Sequence, residues 1–330
     1  MGFPHQSDGH LTRSANNMAD HPSFDIGNWD ERASVRARPN PLNHPDTWQS
    51  ELSDCYWYPP NMLPYLSHPH FSNVSRETII ELTAKHLIYF LDYTVKLEHL
   101  IVNRSVETIL YDALGVRIPG SMKTAALQLY TDEGYHALFS HQLAEKVSSI
   151  YGYQGFTKPP HRITQLYKLL RNTNSAQVHL THFVIGFVSE TLIAKELADL
   201  TQHKLVGIVS NMFREHLIDE ANHSRFFSSA FIYVWKRCKP KAKAYIAHIL
   251  PSVLDIFVSI DSLWLSGILK EARVGAVDTT TIIQSMNDAS ATRERIRLNA
   301  QATFATLRRS GMLLESPYCD VFVEEGLHEF

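Results

Sequence analysis

From Ser75 to about Ser310, apolar residues recur at three- and four-residue intervals through runs far longer than any strand, the mark of helices with one buried face. Ser75 reads as an N-cap with Glu77 in the first turn. The pattern predicts a first helix to about Leu114, ended by the Gly115–Gly120 stretch, and a second over about Ser121–Tyr151. After a loop at Gly152–His161 come a short helix near Ile163–Arg171, a third long helix over about Ser175–Thr201, and a fourth over about Val206–Cys238 that stops at Pro240. Two further helices are predicted over about Lys241–Arg273, with a kink at Pro251, and over Thr279–Ser310. No alternation of strand type persists and no tandem array is present, so the expected class is all-α. Residues 1–50 are polar, without a sustained period, and read as a mobile leader. Residues 51–72 set Tyr56, Trp57, Tyr58, Tyr65 and Phe71 among prolines, which fits an irregular arm packed on the body. Residues 51–330 are expected to form one domain, with an acidic, aromatic tail at 314–330 that docks loosely.

The informative positions are polar residues that interrupt apolar stripes. Between Phe213 and Phe227, the residues His216, Glu220 and His223 fall at i, i+4 and i+7 on one face. A core-facing carboxylate without a partner costs several kcal/mol, and a metal ion would supply that partner. Asp-Glu-x-x-His occurs twice, as Asp132-Glu133-x-x-His136 and as Asp219-Glu220-x-x-His223, each presenting one carboxylate and one imidazole from one face. The preceding helix contributes a lone Glu in each case: Glu98 and Glu190 both break apolar stripes. The separations are similar, 35 residues from Glu98 to Glu133 and 30 from Glu190 to Glu220. Two such pairs make a pseudo-symmetric four-helix bundle of the kind that holds two carboxylate-bridged metals. Four buried carboxylates carry about four negative charges, which two divalent cations would cancel. Carboxylate and imidazole without thiolate suit iron or manganese better than copper or structural zinc. Asp132 and Asp219 are placed to orient a histidine on a neighbouring helix. Glu107 rivals Glu98 and Glu196 rivals Glu190. His99, His141 and His182 read as solvated or core histidines, and Tyr130 and Tyr135 as packing residues. Arg293, Arg295 and Arg297 read as a charged helix face, from which one side chain could turn inward to a substrate carboxylate.

Composition excludes more than it assigns. The chain has 330 residues, 44% apolar and 20% charged, with a net charge of −3 and no basic stripe, so no nucleic-acid partner is expected. Cys55, Cys238 and Cys319 form no CxxC pair, which fits a reducing cytoplasm. No signal-peptide core and no run of 18 apolar residues appears, so no membrane association is expected. Many of the 18 histidines sit in the leader and loops, among them His5, His10, His21, His44, His68 and His70, where a solvated surface role is expected.

On these motifs the chain resembles the p-aminobenzoate N-oxygenase family of ferritin-like di-iron oxygenases over about residues 75–310. The specific element is the added histidine of HxxxExxH, here His216-Leu-Ile-Asp-Glu220-Ala-Asn-His223. The resemblance implies a ferritin-like bundle with seven ligands, Glu98, Glu133, His136, Glu190, His216, Glu220 and His223. It also implies two iron ions, O₂ as co-substrate, and an external two-electron donor acting as redox partner. The implied reaction is oxidation of a primary amine on a small molecule to hydroxylamine, nitroso or nitro, in natural-product biosynthesis. By the same analogy Arg295 is the candidate substrate-binding arginine, and a homodimer is compatible with the family. The alternatives are a C–H hydroxylase or desaturase, which would use the set without His216, and a ferroxidase-like iron-binding protein. A ribonucleotide reductase radical subunit would need a tyrosine where Ser140 stands.

Overall fold

The structure, a computed structural model, describes residues 24–153 and 158–327. It opens with three one-turn helices, α1 (Trp29–Arg32), α2 (Ser34–Ala37) and α3 (Trp48–Glu51). Here the composition misleads. Residues 1–23 of the expected leader lie outside the described residues, but Phe24, Ile26, Ala33 and Ser34 are buried against the bundle. In the arm at 51–72, Trp57, Tyr58, Leu63 and Tyr65 are all buried.

Four long helices form the body. Ser75 caps α4 (Arg76–Leu97) by accepting from the Thr78 amide at 3.3 Å. The chain then passes through a π-helical turn at Glu98–Val102, where the Asn103 amide reaches back to the Glu98 carbonyl, and continues as α5 (Asn103–Leu110). α6 (Gly120–Tyr151) ends at Gly152, whose left-handed φ of 60° glycine adopts without strain because it has no Cβ. α7 (His161–Asn172) connects to α8 (Val178–Leu200), and α9 (Gly207–Arg237) completes the bundle.

Buried apolar residues divide into two clusters along these helices. One holds Leu87 and Leu91 of α4, Phe139 and Leu143 of α6, Leu197 of α8 and Phe213 of α9. The other holds Val106 of α5, Met122 and Leu129 of α6, Phe183 and Phe187 of α8, and Phe227 and Phe231 of α9. The order of the clusters along each helix fixes the directions: α4 and α9 run one way, α6 and α8 the other. The link from α6 to α8 must therefore cross the length of the bundle, which is the long connection of ferritin-like folds. Between the clusters lies a polar layer to which α4, α6, α8 and α9 each contribute. Close approach of α5 and α8 depends on Gly186, where a Cβ would stand 2.5 Å from the Ser105 Cβ.

The C-terminal part has more breaks than periodicity predicted. α10 (Pro240–Val258) runs through Pro251, and the break comes later, where Asp261 accepts from the Trp264 amide and caps α11 (Ser262–Glu271). The expected 279–310 helix is three: α12 (Ala276–Asn287), α13 (Ala289–Asn299), capped by Asp288, and α14 (Gln301–Ser310). The stretch Pro240–Glu271 is long and apolar enough to cross a membrane by length and composition, but Ile246, Leu250, Val253 and Leu254 face the core. α15 (Tyr318–Glu324) docks more tightly than a loose tail, since Phe322 and Leu327 are buried.

Candidate metal centre

The polar layer gathers all seven residues singled out by the motifs. Glu98, Glu133, His136, Glu190, His216, Glu220 and His223 are each at most 3% exposed. His216 Nε2 lies 3.0 Å from Glu98 Oε1 and 3.3 Å from Glu220 Oε1. His136 Nδ1 is 3.1 Å from Glu220 Oε1 and 3.6 Å from Glu133 Oε2. His223 Nδ1 is 3.0 Å from Glu133 Oε1, 3.2 Å from Glu220 Oε1 and 3.7 Å from Glu190 Oε2. Two overlapping groups could hold a metal ion, Glu98/His136/His216/Glu220 and Glu133/His136/Glu220/His223. Glu190 stands beside the second. The rivals lie elsewhere: Glu107 pairs with Arg104 at 2.7 Å, and Glu196 lines a neighbouring cavity.

These atoms converge without satisfying one another. Among the described residues, both oxygens of Glu98 and of Glu133, one each of Glu190 and Glu220, His136 Nδ1 and His216 Nε2 make no hydrogen bond of acceptable geometry. Orphaned buried polar atoms cost about 1–3 kcal/mol each, so this concentration fits a cation rather than a self-contained network. The titration behaviour agrees. Burial pushes Glu98 up to about 7. Burial, then the charges of Glu220 and Glu133, pushes Glu190 well above the usual carboxylate range. Burial would also raise Glu220, but His223 and the other two imidazoles outweigh it and hold Glu220 well down. Burial would lower His136, yet Asp219, Glu133 and Glu220 hold its proton well above the ordinary range. Without a cation the layer must retain protons to balance its carboxylates, and a divalent ion would displace them.

Asp132 and Asp219 act across the bundle. Asp132 on α6 meets His223 Nε2 of α9 at 3.1 Å, and Asp219 on α9 meets His136 Nε2 of α6 at 3.2 Å. Each aspartate thus takes the outer ring nitrogen and leaves Nδ1 facing the layer. Asp219 is held at about 2: burial raises it, but the His136 and Ser34 hydrogen bonds and the His136 charge prevail. Sequence reasoning missed what closes the aspartates from outside. Trp29 Nε1 donates to both Asp132 oxygens, at 3.0 and 2.9 Å. The Ser34 amide and the Arg38 guanidinium donate to Asp219, at 3.2 and 2.7 Å. A tryptophan within a polar leader was the one visible signal.

Beside the layer lies a cavity of about 400 Å³, bordered by Leu97 and Ser189, the neighbours of Glu98 and Glu190. Its walls are aromatic, with Tyr58, Tyr89, Phe90, Tyr93 and Trp264. Arg295 lines it, but its guanidinium donates to the Val258 and Met286 carbonyls (3.0 and 2.8 Å) and to Thr292 Oγ1 (2.9 Å). Arg162, passed over in the sequence, also lines it, with Nε on the Ser259 carbonyl at 3.0 Å and the guanidinium 5.4 Å from the Tyr93 ring centre. Arg293 lies against Gly326, and Arg297 pairs with Glu294 on an exposed surface.

The duplicated ExxH, the added histidine and the buried layer are what a bundle holding two carboxylate-bridged metals requires. The sequence model of the p-aminobenzoate N-oxygenase AurF matches residues 28–311, a span that takes in Trp29 and Arg38 as well as the whole polar layer, and the chain belongs to that oxygenase family.

Proposed function

We propose that this chain is an O₂-dependent di-iron N-oxygenase acting on a small, flat primary amine and carrying it to hydroxylamine and onward to nitroso or nitro. The observation that carries the reading is His216, whose Nε2 joins Glu98 and Glu220 inside the layer and enlarges the ligand set beyond four Glu and two His. Glu98, His136 and His216 on one side and Glu133, Glu190 and His223 on the other would hold two iron ions, with Glu220 common to both groups. Bound iron supplies O₂ activation, with electrons drawn from an external donor. The chain's own share is positional. Asp132 and Asp219 hold the outer nitrogens of two imidazoles so that Nδ1 stays turned inward. The two apolar clusters above and below the layer exclude water. The aromatic cavity, within the size range of small-molecule sites, orients a planar amine with its nitrogen toward the Leu97 and Ser189 end. Ser189 Oγ, buried and without a hydrogen-bond partner among the described residues, offers a donor and acceptor there. Arg162 is better placed than Arg295 to receive an acidic substituent, because three nitrogens of Arg295 are committed to the protein.

The test is product mass after incubation of iron-loaded protein with an arylamine, reductant and O₂. Addition of oxygen at nitrogen is expected. Hydroxylation at carbon alone would sink the reading and leave a C–H hydroxylase.

A further inference from the structure

The outer aspartates are alike in sequence but are closed by donors of different charge. Among the described residues, Asp132 meets a neutral external donor, the Trp29 indole N–H, which bridges both its oxygens. Asp219 meets the Arg38 guanidinium at 2.7 Å as well as the Ser34 amide. Arg38 also pairs with the partly exposed Glu215 at 2.8 Å, so the guanidinium is shared between two carboxylates, of which Asp219 is the more buried. Both aspartates are buried, so a cation beside one is felt strongly at short range. A carboxylate on the ring N–H of a ligand histidine raises that ligand's basicity, and it does so in proportion to the negative charge it keeps. Asp132 keeps its charge against His223. Asp219 has part of its charge cancelled and draws less on the His136 N–H.

We propose that the segment Trp29–Arg38 is a strap that makes the two metal positions electronically unequal. Trp29 acts through Asp132 on His223, and Arg38 acts through Asp219 on His136. Neither side chain is placed among the ligands or in the cavity, so both are positioning residues. The pairing is reciprocal across the bundle, because each aspartate sits on the helix opposite its histidine, and the strap spans both. The inference rests on the reading of two metals in the layer.

The experiment uses the full chain loaded anaerobically with ⁵⁷Fe, reduced, and followed by Mössbauer spectroscopy and by iron release to a chelator. The unaltered chain is expected to show two distinct iron environments. Arg38→Gln, which removes the cation, should move one of them, and Arg38→Lys, which restores it, should return the original spectrum. Asp219→Asn, which removes the carboxylate charge itself, should move the same iron in the opposite sense, and it serves should Arg38→Gln fail to fold. Trp29→Phe should move the other iron and speed its release, by less than the about 10–100-fold that losing Asp132 itself would cost. The proposal is overturned if Arg38→Gln and Trp29→Phe shift both irons alike, if Lys behaves as Gln, or if the melting temperature falls while spectrum and release stay unchanged. Fewer than two irons in the unaltered chain would instead overturn the two-metal reading, and the strap with it, before any variant is compared.

Discussion

The helix pair α4–α6 and the pair α8–α9 each bring a lone Glu and an ExxH to the polar layer, but they do so by different means. In the first pair the backbone gives way: Glu98 opens a π-helical turn, which re-aims a side chain within an otherwise continuous helix. In the second pair the backbone of α8 stays regular at Glu190, and the sequence of α9 adds a residue, His216. The two departures from symmetry touch, with His216 Nε2 3.0 Å from Glu98 Oε1. A duplicated motif therefore supplies the common ligands, while the chemistry that distinguishes the site is built where the copies differ.

The sharpest way to break the comparison is to remove the carboxylate common to both metal groups. Glu220 lies within 3.3 Å of His136, His216 and His223, whereas Glu133 belongs to one group only. After anaerobic loading, elemental analysis should give two irons per unaltered chain and less than one for Glu220→Ala, with Glu133→Ala between them. Two irons retained by Glu220→Ala would mean that this carboxylate is no bridge.

His216→Ala removes the addition made by the second half and leaves Glu98 facing a gap. The bundle should remain folded, because His223, Glu220 and the two apolar clusters persist. Iron should still bind and some O₂ should still be consumed. N-oxygenated product should fall by on the order of 100-fold, at least the upper end of what an outer partner costs. Unchanged product mass and yield would show that His216 is not a ligand and return the chain to the hydroxylase and desaturase set.

Asp132→Asn and Asp219→Asn compare the halves at the next shell of contact. Each should lower metal affinity or activity by about 10–100-fold. They should differ in stability. Asp219→Asn also strips Arg38 of its buried partner, at a cost of about 1–3 kcal/mol for a charged hydrogen bond, part of which Glu215 and solvent recover. Asp132→Asn leaves a neutral indole instead. Urea unfolding of the metal-free variants should therefore place Asp219→Asn below Asp132→Asn, and equal midpoints would remove the distinction.

Glu98, Glu190, His216, Glu220 and His223 were legible because they interrupt apolar stripes, and Glu133 and His136 because they repeat the Asp-Glu-x-x-His of α9; both signals are visible in one dimension. The strap was not, because Trp29, Ser34 and Arg38 earn their burial from partners on α6 and α9 more than a hundred positions away. The π-helical turn at Glu98–Val102 carries no residue signature. The breaks at Asp261 and Asp288 were readable in principle, since both aspartates cap the helices that follow, but continuous apolar spacing hid them. Arg295 shows the converse limit: periodicity can bring an arginine to a wall, but not reveal that nearby carbonyls have taken its donors.

The smallest effect probes where the halves meet rather than where they differ. Gly186 on α8 sits against Ser105 on α5, whose hydroxyl donates to the Ile101 carbonyl at 3.1 Å and to the His182 carbonyl. A Cβ at 186 would lie 2.5 Å from Ser105 Cβ, 2.8 Å from its Oγ and 3.1 Å from Phe227 Cε1. Alanine is worth roughly 0.5–1 kcal/mol more than glycine within a helix, so Gly186→Ala would stabilise an exposed site. Here Ser105 Cβ cannot rotate away, and the helices must separate; overpacking of this kind costs about 1–3 kcal/mol. The net outcome should be a destabilisation of about 1–2 kcal/mol in urea unfolding. The partner experiment distinguishes clash from any other cause. Ser105→Gly in the Gly186→Ala background removes the obstructing Cβ, so it should recover part of the loss despite replacing a helix residue with glycine. If the double variant is less stable than Gly186→Ala by the full cost of Ser105→Gly alone, the two positions do not touch, and the close approach of α5 to α8 is not what Gly186 permits.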